Sequence, residues 1–95
     1  MKINFDCKIT VPEEIIIQQT IDGESIILNT KEENYYVLNE VGTDFYNNLV
    51  NSKNIYDALI KLHDSYEVDR NTLEKDLQGF INDLKNNSLI DLEMI

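Results

Sequence analysis

Ninety-five residues carrying 18 Asp and Glu against 8 Lys and Arg have a formal charge of −10, and 42% of them are hydrophobic. That length holds one modest core, with no room for a second lobe around a large active site. The charge repels phosphate backbones and attracts basic partners, which sets nucleic acid aside.

Ile3, Phe5, Cys7, Ile9 and Val11 occupy alternate positions, so residues 1–12 read as an N-terminal arm or extra strand that ends at Pro12. With Cys7 as the sole cysteine there is neither an internal disulfide nor a cluster for structural zinc. The chain opens without a signal-peptide pattern, and its longest apolar run, Ile15-Ile16-Ile17, is far too short for a bilayer. A soluble, cytoplasmic protein without membrane partners is expected.

Glu13 to Ile21 and Glu24 to Thr30 are β-rich runs separated by Asp22-Gly23, a pair that predicts a two-residue type I′ hairpin turn. Lys31 to Asn34 connects them to a third strand, Tyr35 to Leu38, which is an edge unless the arm covers it. By alternation Tyr36 and Leu38 share one face, with Tyr35 and Val37 on the other.

Asn39 is the N-cap of a first helix, with Glu40 favourably placed at its positive end and a stripe of Val41, Phe45 and Leu49. Asn54 caps a second helix with Ile55, Leu59, Leu62 and Tyr66 on its apolar face. Asp69 or Asn71 caps a third, whose stripe is Leu73, Leu77, Phe80, Ile81 and Leu84. Leu89 to Leu92 closes the chain as a short strand or packed tail. Three strands of an antiparallel sheet followed by three helices make an α+β, winged helix-turn-helix-like domain spanning 1–95. The third helix is net acidic, which removes the chemistry of a DNA-reading helix.

Catalytic and metal-binding residues are not expected. His63 is the single histidine and has no companion ligand. Cys7 has no neighbouring base to activate it, and the pairs Glu13-Glu14 and Glu32-Glu33 sit in solvated turns. Gly23, Gly42 and Gly79 are isolated and form no phosphate loop. Gly79 lies inside the third helix, where glycine costs about 1 kcal/mol relative to alanine. An apolar edge strand such as Tyr35 to Leu38 is a liability unless it is covered or used, and one use is the addition of a peptide strand.

From Asp22 onward the sequence resembles the PqqD family, peptide-recognition domains of pathways that make natural products from ribosomal peptides. The resemblance rests on Asp22-Gly23, Ile26-Ile27-Leu28, Tyr35-Tyr36-Val37-Leu38-Asn39-Glu40-Val41-Gly42, Leu59, Tyr66-Glu67-Val68-Asp69, Asp76, Phe80, Leu84 and Leu89-Ile90. It implies a non-catalytic, cofactor-free adaptor that binds the leader segment of a precursor peptide as a strand beside the third strand, clamped by the third helix. Carried over, the implied peptide-binding residues are Tyr35, Tyr36, Val37, Leu38, Leu73, Asp76, Leu77 and Phe80. Leu73, Leu77 and Phe80 read equally well as core. The partners implied are the precursor peptide and a leader peptidase or other modifying enzyme. The Tyr66/Asp69 spacing and the length resemble the discrete recognition proteins of lasso-peptide biosynthesis. The alternatives are a chaperone for a radical SAM enzyme within the family and, outside it, a winged-helix transcription regulator.

Overall fold

The computed structural model describes residues 2–94; Met1 and Ile95, the ends of the expected 1–95 domain, lie outside the described residues. Strands β2 (Ile15–Gln19), β3 (Ser25–Asn29) and β4 (Asn34–Leu38) form an antiparallel sheet in that order. Ile17, Ile27 and Tyr36 stand in one row across it, and Gln19, Ser25 and Leu38 in the next. Those rows lie on the inner face, where Ile15, Ser25, Ile27, Asn29 and Leu38 are buried. Ile16, Tyr35 and Val37 project from the outer face into solvent, as strict alternation requires.

The hairpin between β2 and β3 forms where expected, but its turn is not type I′. A type I′ turn needs positive φ at both central residues. Only Gly23 has it, at +83°, and the Thr20 N–H bonds the Glu24 carbonyl at 2.9 Å. The loop therefore holds three residues, Ile21 to Gly23, with glycine in the left-handed position such loops need. At the next turn the buried Asn29 side chain accepts from the Lys31 and Glu32 N–H groups, so its polarity is satisfied locally.

Three helices follow: α1 (Glu40–Asn51), α2 (Ile55–Ser65) and α3 (Arg70–Asn86). Each begins at a side-chain cap. Asn39 accepts from the Gly42 N–H and Asn54 from the Asp57 N–H, both at 2.8 Å. Asp69, not Asn71, caps α3, accepting from Asn71 at 3.1 Å and Thr72 at 3.3 Å. The expected stripe of α1 needs correction, because Val41 is 47% exposed. Residues four apart drift by about 40° per step around a helix, and over Val41, Phe45 and Leu49 that carries Val41 off the buried face. Gly42, Phe45, Tyr46 and Leu49 form the true inner stripe.

The arm contains a short extra strand. Ile3, Cys7 and Ile9 are buried as the alternation predicts, yet only Lys8–Thr10 is a strand, β1. It pairs with β5 (Asp91–Glu93) in a separate two-stranded ribbon. Two further arm carbonyls serve α2 instead of a ladder: Cys7 accepts from the Ile55 N–H and Phe5 from the Tyr56 N–H, both at 2.9 Å. These are donors that a helix N-terminus leaves unsatisfied. Lys8 closes the other side, donating to the Val50 and Ser52 carbonyls at the end of α1. The arm is thus fastened to the helices, and among the described residues nothing pairs with the outer edge of β4.

Candidate peptide-binding site

The open edge of β4 faces a cleft of about 700 Å³. One wall is the strand and its continuation into α1, from Tyr36 through Asn39 to Val41 and Gly42. The opposite wall is α3, which contributes Lys75, Asp76, Gly79, Phe80 and Asp83. Phe45 and Glu24 complete the lining.

Local chemistry holds these walls in place. The strand passes into α1 without a loop because the Asn39 side chain caps the helix immediately. A Cβ at Gly42 would stand 3.3 Å from the Asn39 cap oxygen and 3.4 Å from Leu38 Cδ2, so this tight junction leaves little room for a larger residue. A buried hydroxyl pair, Ser25 and Thr43 at 2.7 Å, ties β3 to the first turn of α1.

On the helical side, an aromatic chain reaches from the end of α2 to the cleft. Tyr66 meets Phe45 edge to face at 6.1 Å, and Phe45 meets Phe80 in the same manner at 5.7 Å. The Tyr66 hydroxyl donates to the Asp44 carboxylate at 2.7 Å. That bond to a charged acceptor, followed by desolvation, pushes the Tyr66 pKa up to about 12. Tyr66 and Asp69 thus have separate tasks, the first bracing α1 and the second capping α3.

Of the residues expected from sequence, the fold gathers Tyr36, Val37, Leu38, Asp76 and Phe80 on the cleft. Tyr35 points from the outer face, 69% exposed, away from the lining. Leu73 and Leu77 are 2% and 0% exposed and pack in the core behind the α3 wall. Val41, Gly42, Phe45, Lys75, Gly79 and Asp83 also line the cleft and were absent from the expected set. A signal existed for part of this group. Gly79 and Asp83 follow the expected Asp76 at helical spacing on α3 beside an apolar stripe, marking a second face with its own composition.

The cleft is lined about equally by polar and apolar surface. Leu38, Val41, Phe45 and Phe80 supply the apolar surface, while Glu24, Asp76 and Asp83 bring carboxylates against the one cation, Lys75. Such a site suits an extended peptide, with backbone groups for a ladder and side-chain contacts for alternate residues. Elsewhere, Cys7 is buried with its Sγ 3.0 Å from the Met94 sulfur, and His63 is exposed in the last turn of α2. Among the described residues no group of three His, Cys, Asp or Glu could hold a metal ion, and no helix is long and apolar enough to cross a membrane.

Residues 24–90 match the family described as coenzyme PQQ synthesis protein D, PqqD. The chain belongs to the PqqD family. The match begins at the β2–β3 turn and ends at Ile90, so it includes β3, β4 and all three helices, the elements that build the cleft. Two solved structures share the fold of this PqqD-family protein. One is TbiB1 in complex with the TbiA(beta) leader peptide, 26% identical with a TM-score of 0.79, over 86% of this chain and 94% of that one. The other is lasso peptide synthetase B1 complexed with the leader peptide, 25% identical with a TM-score of 0.79, over 88% of this chain and 98% of that one. No curated protein sequence matches the chain.

Proposed function

We propose that this PqqD-family chain is a non-catalytic adaptor for the leader segment of a ribosomally made precursor peptide. The leader adds as a strand to the outer edge of β4. Tyr36, Val37 and Leu38 offer the ladder and one wall, and Asp76 and Phe80 offer the other. Leu73 and Leu77 act from behind, by holding α3 at the right distance, and Tyr35 flanks the new strand on the outer face. The adaptor then presents the precursor to a leader peptidase or other modifying enzyme, in lasso-peptide biosynthesis.

The observation that carries this reading is the β4 edge, unpaired among the described residues, opening onto a cleft walled by α3. Both structural relatives hold a leader peptide, which supports the same use here. Pre-organisation supports it too, since a disordered peptide loses entropy on binding and a preformed edge and trough reduce what else must be ordered. The rim carboxylates favour a leader that carries Lys or Arg.

An amide NMR titration with leader peptides encoded in neighbouring short reading frames tests the proposal. The expected result is micromolar or tighter binding, with shifts concentrated at Tyr36 to Leu38 and along Asp76 to Asp83. Shifts with duplex DNA alone, or none with any leader, would remove it. A radical SAM enzyme in place of the peptidase is the second reading, carried by the family's PQQ-synthesis description. Pull-down of purified peptidase or radical SAM enzyme by the loaded adaptor separates the two.

A further inference from the structure

Gly79 sits mid-way along α3, exposed, on the cleft wall. A Cβ built there meets no heavy atom within 4 Å, so neither packing nor backbone geometry requires glycine. Helix propensity argues against it, because alanine is favoured at an exposed helix interior. The fold therefore gains nothing from this glycine, while the cleft gains space. Asp76 lies about one turn before it and Asp83 about one turn after, with the Phe80 ring beside it. The absent side chain leaves a notch in the wall, apolar at Phe80 and flanked by two carboxylates that form no ion pair among the described residues.

We propose that Gly79 is a specificity-determining position: the notch receives a bulky apolar side chain of the added strand, aromatic or branched. A Lys or Arg close by in the same peptide meets Asp76 or Asp83. A strand laid between β4 and α3 directs alternate side chains at the helix. Large opposite small is how facing elements interdigitate at native density. Other residues at this position would fill the notch and select a smaller partner side chain. This inference rests on the reading of the cleft as the leader site.

Random peptides displayed on phage and selected on the native protein supply the probe. Selected peptides are then titrated against the native protein, Gly79→Ala and Gly79→Leu. Gly79→Ala is expected to raise Tm by about 4–8 °C and to weaken binding several-fold. Gly79→Leu is expected to weaken it roughly tenfold or more through overpacking. Trimming the peptide's bulky residue to alanine lowers affinity for the native protein but restores it for Gly79→Leu. Equal affinities for all three proteins, or a lowered Tm for Gly79→Ala, would overturn the role of Gly79 while leaving the cleft as the leader site. Failure of every selected peptide to shift the Tyr36 to Leu38 amides would overturn both.

Discussion

Helix α3 has two faces that do different work. Leu73, Leu77, Ile81 and Leu84 are at most 2% exposed and hold the helix to the core. One step around the same helix, Asp76, Gly79 and Asp83 are exposed and line the cleft, with Phe80 half-buried at the boundary. The first face follows the rule that apolar residues repeat at helical spacing. The second carries charges and a glycine, as the solvent side of an amphipathic helix does, and it is the side that lines the cleft. A recognition element of this size needs both, because a wall can select a partner only if its position is fixed.

Substitutions separate the faces by what they change. Leu77→Ala, at a site with no exposure, should destabilise the fold by about 2–5 kcal/mol in chemical denaturation. At temperatures where the variant stays folded, its leader affinity should change little. Phe80→Ala straddles the boundary and removes an edge-to-face contact with Phe45. A loss of about 2 kcal/mol is expected, below the range for a fully buried ring, together with weaker leader binding by calorimetry. Binding loss without stability loss would move Phe80 wholly to the cleft face.

Tyr66→Phe reaches the cleft indirectly, through Phe45. Loss of the bond to Asp44 should cost about 1 kcal/mol near neutral pH. The pH dependence has a definite sign. Tyr66 titrates near 12 in the folded chain against an ordinary value of 10.0, so the folded state holds its proton longer. Its contribution is complete below pH 10 and is lost as pH rises toward 12. Stability of the native protein should therefore fall more steeply than that of Tyr66→Phe over that window, as followed by circular dichroism. Parallel curves would show that the hydroxyl does not act through Asp44.

Asp76→Lys should have the smallest effect on stability, within about 0.5 kcal/mol, because the residue is exposed. Its effect is expected in binding: a basic leader should bind more weakly, with a shallower dependence on salt. Unchanged affinity and salt dependence would remove Asp76 from recognition.

Much of this protein was legible in its sequence because the signals were local. Asn39 and Asn54 cap the helices they were expected to cap, since an Asx side chain bonds N–H groups only two or three residues away. The alternation of Tyr35 to Leu38 and the apolar spacing of Leu73 to Leu84 follow from fixed periods of 2 and 3.6 residues. Sequence left Tyr35 to Leu38 as an edge unless the arm covered it, and the pairing of β1 with β5 leaves it open among the described residues.

What lay beyond reach depended on which element meets which. Asp22-Gly23 favours a type I′ turn, but glycine also fits the last position of a three-residue loop, and the pairing of Thr20 with Glu24 selected that loop. The Ile3 to Val11 alternation marks burial, but strand formation needs a ladder partner, and α2 took the arm's Phe5 and Cys7 carbonyls first. Leu73 and Leu77 differ from Asp76 and Phe80 by about one step around α3, an angle that has meaning only once the sheet and α1 fix which direction is inward. The sequence by itself determined the three sheet strands, the three helices and the Asn39 and Asn54 caps, because those arise from neighbours along the chain. Only the tertiary structure decided that β4 and α3 stand apart with a cleft between them, because that spacing is set by contacts between residues remote in sequence.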